Sequence, residues 1–365
     1  MKPIICLGEA RGENEAKINS SFVGASGVEL IRMLGEAKVI ELTSADYDYI
    51  NRYYNTGDPQ MMEMVWQLHP EVYRANVFNQ HPPGNRIEAF CGPKSDGIPG
   101  FGPLVKAGYV RKEFQHELER LGDEIIAIDP NLIIALGNTP LWSLSNRTGI
   151  SKLRGTTALS THTVADYKYL CTYHPAAVLR QWDLRPVTIA DLSKAAREAE
   201  YPEIRRPNCE IWIEPTLDDL EAFYERYISL ARILAVDIET AGNRITCIGF
   251  APRRDVALVI PFDDARAKGR SFWPDVRAES AAWAFVRRVL EDRSIAKVFQ
   301  NGLYDIAFLW RSVGIRVLGA EEDSMLLHHA LQPEALKGLG FLGSIYSSYG
   351  AWKTERRSTT IKRDE

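Results

Sequence analysis

The chain has 365 residues, more than the ~250 to 300 over which a single hydrophobic core usually grows, so two domains are expected. With 45% hydrophobic and 25% charged residues it does not have the composition of a disordered chain, and no apolar run nears the ~20 residues of a membrane span. The amino terminus has no basic-then-apolar signal, so a cytoplasmic protein without a membrane partner is expected; the net charge of −4 does not advertise nucleic-acid binding but leaves room for local basic groups.

Residues 4–7 form a short apolar run flanked by breakers, the pattern of a buried parallel strand. It opens into Gly8-Glu9-Ala10-Arg11-Gly12, where glycine lets the backbone turn or approach a ligand closely. Phe22 and the small residues Gly24, Ser26 and Gly27 follow, before Val28, Leu30, Ile31 and Leu34 take up helical spacing. Residues 44–73 are an insertion rich in tyrosine and methionine, with the spacing of a packed helix. Three more strands end in polar turns: residues 75–78 run into Asn79-Gln80-His81 and then Pro82-Pro83-Gly84-Asn85-Arg86, residues 132–136 into Gly137-Asn138, and residues 169–172 into Tyr173-His174-Pro175. Open parallel sheets bind ligands beyond the carboxyl ends of their strands, so Glu9, Asn76, Asn85 and His174 are expected in one crevice. Between these strands, residues 92–109 read as a long loop of the kind that is functional or mobile, and residues 110–128 as an amphipathic helix. Lys152, Arg154, Arg180 and Arg185 are the candidate phosphate contacts.

Residues 199–209 are polar, with two prolines, and read as a linker. An edge strand over 210–213, a helix start at Thr216 and a buried strand over 233–236 follow. That strand runs into Asp237-Ile238-Glu239-Thr240, and residues i and i+2 of a strand face one side. Two like charges on one face call for a bound divalent cation. A further strand over 296–299 leads into a helix presenting Asp305. The five cysteines, Cys6, Cys91, Cys171, Cys209 and Cys247, are dispersed without any C-x-x-C pair, which argues for reduced thiols.

The segments GEARGENEA, FVGASG, ANVFNQHPPGNR, IIALGN, ISKLRGT and YHPAAVLR resemble, in order, the motifs of the uracil-DNA glycosylase superfamily, nearest its bacterial and archaeal family 4. The resemblance spans residues 1–197 and implies a four-stranded parallel sheet flanked by helices. It further implies that Asn76 reads the edge of an extruded uracil, Phe22 stacks on it and His174 donates to its O2 side. Glu9 and Asn85, with Glu15 behind them, are the candidates for orienting the attacking water. Ala10 stands where some relatives place an aspartate, and Arg154 and Arg180 are the implied DNA contacts. Family 4 holds an iron-sulfur cluster on four cysteines; here Gln80 occupies the third position and no cysteine lies near Glu117, so no cluster is expected.

The later segments DIET, N-x3-D and DSMLLHHALQPEALKGLGFLGSIYSSYGAWKTE resemble DnaQ-like 3′-5′ exonucleases, in particular the proofreading domain of family A DNA polymerases. This second resemblance implies an RNase H-like mixed α/β domain with Mg2+ or Mn2+ on Asp237, Glu239 and Asp305. The family's Tyr-x3-Asp motif is absent, Thr360-x3-Asp364 being the nearest substitute, so the domain is expected to be incomplete at its end. The expected organisation is a glycosylase-like domain over 1–198, a linker over 199–209 and an exonuclease-like domain over 210–365. The implied function is uracil removal from DNA coupled to a proofreading-type nuclease, of bacteriophage character. The alternative is a non-catalytic DNA-binding accessory, or the amino-terminal portion of a split family A polymerase working with a separate polymerase chain.

Overall fold

A computed structural model describes residues 3–206, 208–267 and 269–347. These group into two units, residues 3–205 with 340–347, and residues 206–339. The division falls inside the expected linker, but residues 340–347 group with the first unit and not with the expected second domain. Thr360 and Asp364 lie outside the described residues.

The first unit is built on five strands, β1 (Ile4–Ala10), β2 (Val72–Phe78), β3 (Leu132–Leu136), β4 (Thr157–Thr161) and β5 (Ala165–Thr172), in the spatial order β2-β1-β3-β5-β4. The first four in that order are parallel, as expected. The fifth corrects the expectation: β4 is an antiparallel edge strand, paired with β5. Its mixed polar sequence, half exposed, carries none of the apolar signal of the central strands.

Alternation sorts the central strands into two core faces. Ile4, Cys6, Ile134 and Leu136 pack with Val28, Ile31 and Leu34 of the helix Ala25–Glu36 and with Leu192 and Ala195 of the helix Arg185–Glu198. Ile5, Leu7, Ile133 and Ala135 face Leu118, Leu121 and Ile125 of the helix Gln115–Ile128 and Trp142 of the helix Asn138–Ser145. The helix expected from residue 110 therefore begins at Gln115, after a short strand, Tyr109–Val110, that pairs with Cys91–Gly92. The intervening loop is pinned down: Trp142 Nε1 donates to Gly102 O at 2.9 Å, and Gly102 N donates to Asn146 Oδ1 at 2.6 Å. The insertion forms two helices, Ser44–Thr56 and Pro59–Gln67, whose Ile50, Met62, Val65 and Trp66 extend the first face.

The second unit is a six-stranded mixed sheet of β6 (Glu210–Ile213), β7 (Ile233–Ala241), β8 (Arg244–Arg253), β9 (Val256–Pro261), β10 (Ala296–Phe299) and β11 (Ala320–Asp323), ordered β11-β10-β7-β8-β9-β6. The meander β7-β8-β9 is antiparallel, while β10 and β11 add in parallel. Leu234, Val236 and Ile238 point into the core with Phe285 and Val289 of the helix Val276–Glu291, so Asp237 and Glu239 lie together on the exposed face of β7.

Candidate active site at the strand ends

Parallel pairing sets Gly8 of β1 directly beside Asn76 of β2. A methyl group on Gly8 would lie 2.3 Å from Asn76 Oδ1 and 2.7 Å from Phe22 Cζ, so glycine is what lets the amide and the ring converge there. Phe22 has φ 57°, a left-handed conformation uncommon for a bulky residue. Two contacts hold it: Trp66 Nε1 donates to Phe22 O at 2.8 Å, and the same oxygen lies where a side chain on Gly27 would have to pass, 1.8 Å from an ideal Cβ. The ring stacks on His174, with centroids 6.0 Å apart and planes 28° from parallel. Asn76 is buried, its Nδ2 donating to Ser21 Oγ at 3.1 Å.

These groups line a single cavity of ≈ 450 Å³, together with Glu9, Ala10, Glu15, Asn85 and Arg180. Of the glycosylase-site residues expected from the sequence, Glu9, Ala10, Glu15, Phe22, Asn76, Asn85, His174 and Arg180 lie around one space, whereas Lys152, Arg154 and Arg185 do not line it. Its size falls within the ~300 to 1,000 Å³ of small-ligand sites. None of residues 92–109 lines it.

Arg154 is turned inward. It is 3% exposed, its Nε donating to Asp191 Oδ2 at 2.7 Å and its Nη2 to Asp191 Oδ1. Nη1 donates to Ser344 Oγ at 2.8 Å, and Phe341 covers the guanidinium at 5.4 Å. A buried carboxylate from the helix Arg185–Glu198 draws the cation inward, so Arg154 holds the unit together and does not face the cavity. Arg185 is likewise committed, to Glu29 and Glu36.

The electrostatics single out two groups. Burial pushes the Glu9 carboxyl above the usual range, with the Glu88 charge acting in the same direction; a hydrogen bond from the Thr139 hydroxyl and the charge of Arg180 oppose the rise. His174 is lowered to about 4 by burial and then by Arg180, so at neutral pH it is uncharged. Its Nδ1 accepts from Ala176 N, which leaves the proton on Nε2. Thr139, Glu88 and Asn138 had been given no role from sequence. Asn138 Oδ1 accepts from Gly149 N and Ile150 N, both at 2.9 Å, and so sets Ile150 in the cavity wall. For Asn138 and Thr139 the signal lies at the end of β3, where Gly137 and Asn138 obey the same strand-end rule as the other loops, while Glu88 follows β2.

In the second unit, Asp305 is buried and accepts from Ile238 N at 3.1 Å. Burial, then the neighbouring Asp237 and Asp323 charges, raise it to about 6. Asp323 accepts from four backbone N–H groups, those of Asn301, Gly302, Met325 and Leu326, and so caps two helices. All-carboxylate oxygen donors suit a hard divalent cation. Yet among the described residues no three His, Cys, Asp or Glu side chains are grouped to hold a metal ion. Asp237, Glu239 and Asp305 therefore do not fit the implied metal pair as they stand. Cys6 and Cys171 are buried single thiols, and burial pushes both up to about 12.

The chain thus has an open α/β unit with its polar cavity at the strand ends, followed by a mixed-sheet unit in which Asp237 and Glu239 share one strand face. Residues 2–198 match the uracil DNA glycosylase superfamily, and residues 212–363 match a 3'-5' exonuclease family. The chain belongs to the uracil DNA glycosylase superfamily and carries a 3'-5' exonuclease domain behind that part. A DNA polymerase of Bacillus phage SP01 is 23% identical over 329 residues, covering 80% of this chain and 32% of the polymerase. The type-4 uracil-DNA glycosylase of Sulfurisphaera tokodaii is 26% identical over 205 residues, 55% of this chain and 71% of that protein. Brucella melitensis NrnC, a solved structure, is 19% identical and covers 43% of this chain and 65% of its own, with a TM-score of 0.26. The chain thus spans 32% of the length of the phage polymerase it matches.

Proposed function

We propose that the first unit removes uracil from DNA by hydrolysing the N-glycosidic bond. An enzyme working on a base must take it out of the stack and read its Watson-Crick edge in a pocket. One amide can donate to a uracil carbonyl while accepting from the ring N–H, and Asn76 is that amide. Phe22 supplies a stacking face worth roughly 1 to 3 kcal/mol, enough to retain a base but not to identify it.

Bond cleavage leaves negative charge on the departing base, so a preorganised donor aimed at that charge is the main requirement. The Nε2–H of neutral His174 meets it, and Arg180 adds positive charge at the rim. Glu9 and Asn85 orient the water, Glu9 being the group whose ionisation the site controls. The reading rests chiefly on the convergence of Phe22, Asn76 and His174, from three separate segments of the chain, on one base-sized cavity. Release of free uracil from a uracil-containing oligonucleotide tests it. Loss of release in Asn76→Ala and His174→Ala is the expected result, and no release by the wild-type chain overturns it.

A second reading is favoured by one observation, the match of 80% of this chain to part of a phage DNA polymerase. In it, the chain is the DNA-binding front of a replication assembly that includes a polymerase. The exonuclease-type unit then grips a 3′ end. Trimming of a labelled 3′ end, assayed with and without Mn2+ and with and without a polymerase chain, separates the two.

A further inference from the structure

Besides the cavity, the first unit has an open cleft of ≈ 1060 Å³ that contains no residue of the proposed reaction. The two hollows share walls. The helix Ala25–Glu36 places Ser26 in the cavity and Arg32 in the cleft, ~9 Å further along its axis at 1.5 Å per residue. The helix Pro175–Arg180 ends with Arg180 in the cavity, and Trp182, two residues on, lies in the cleft.

Trp182 is 60% exposed, yet it is held in place. Its indole lies 5.0 Å from the Arg185 guanidinium, and Arg185 makes three hydrogen bonds, one to Glu29 and two to Glu36. The cation braces the ring and leaves much of it open to solvent. Tyr47, 49% exposed, lines the same cleft. The lining sets Arg32, Lys38 and Arg185 against Glu29, Glu36, Glu41 and Glu71; Arg185 is committed to Glu29 and Glu36, so Arg32 and Lys38 are the cations of the lining placed to meet phosphates.

We infer that Trp182 is a stacking platform for a nucleotide flanking the extruded base on the same strand, with Arg32 and Lys38 serving its phosphates. The inference rests on the glycosylase reading of the neighbouring cavity. Every base has a π face, so the platform accepts any flanking base and governs strand capture, not the choice of uracil. Trp182 is accordingly a positioning residue, felt in KM and not in kcat.

The test is uracil release from a single-stranded oligonucleotide extending several nucleotides to either side of the uracil. Trp182→Ala is expected to raise KM by about 5- to 100-fold, the scale of one lost base stack, with kcat unchanged, while Trp182→Phe keeps most of the affinity. Arg32→Gln combined with Lys38→Gln is expected to flatten the salt dependence of KM. Equal KM for wild type and Trp182→Ala overturns the inference. Should wild type release no uracil, the glycosylase reading fails by itself. The same variants are then compared for binding a labelled strand without uracil, where weaker binding by Trp182→Ala upholds the platform and unchanged binding overturns it.

Discussion

His174 Nδ1 accepts the backbone N–H of Ala176 at 3.1 Å, and this one bond decides what the imidazole can do. With Nδ1 occupied as an acceptor, the neutral ring carries its proton on Nε2 and is a donor there. Burial and the Arg180 charge lower the group to about 4, so the donor form persists through neutral pH. The part of uracil release that depends on His174 is therefore expected to be flat from about pH 5 to 8 and to fall only near the shifted value. His174→Ala is expected to lose about 100-fold or more, as when one oxyanion donor is removed. Stability carries the same sign: the folded value lies below the ordinary 6.5, so the unfolded chain takes up the proton first. The contribution is present above about 6.5 and is lost as pH falls towards about 4. Melting temperatures of wild type and His174→Gln compared across that window check it, wild type falling faster.

Gly8→Ala is a test of the cavity with little backbone penalty, because Gly8 is not among the glycines of positive φ. The new methyl group would sit 2.3 Å from Asn76 Oδ1 and 2.7 Å from the Phe22 ring, so one or both must move. The chain is expected to fold, as judged by circular dichroism, while uracil release falls by about 100-fold or more, comparable to losing a preorganised polar contact. Release at the wild-type rate would mean that the amide and the ring do not act together.

Much of this site is legible in the sequence, because a strand end is a local signal. An apolar run followed by asparagine, glycine or Tyr-His-Pro marks where β2, β3 and β5 stop, whereas β1 runs on through Gly8 to Ala10, and parallel pairing brings these ends to one edge. Arg154 is different. A basic residue in a glycine-flanked turn looks like surface until Asp191, 37 positions later, is found beneath it. The strand β4 fails for another reason: an edge strand needs only half an apolar face, and Thr157–Thr161 has barely that. In the second unit, the alternation of Asp237 and Glu239 was readable along β7, but not whether Asp323 would face them or spend its oxygens on helix N–H groups.

Thr139 controls Glu9. Burial raises the carboxyl, and the hydrogen bond from the Thr139 hydroxyl is the largest influence holding it down. Thr139→Val removes that donor at nearly constant volume, so Glu9 is expected to rise further. If the ionised carboxylate orients the water, the acidic limb of the pH-rate profile moves to higher pH in Thr139→Val and disappears in Glu9→Gln. Single-turnover uracil release measured across the acid range follows the limb directly. An unmoved limb in Thr139→Val assigns the water to Asn85.

Asp305 tests whether the carboxylate cluster of the second unit costs stability. Its folded value, about 6, lies above the ordinary 3.8 because burial and the nearby Asp237 and Asp323 charges disfavour the anion. A raised acid favours folding most when protonated, so its contribution is complete below about 3.8 and is lost as pH rises through about 6. Asp305→Asn keeps an acceptor for the Ile238 N–H and removes the charge. The variant is expected to be more stable than wild type at neutral pH by about 1 to 3 kcal/mol, an advantage that shrinks on acidification. Urea unfolding of the full chain, following the transition of the second unit on both sides of the shifted value, measures it. An advantage independent of pH would show that Asp305 is not held against its neighbours' charge.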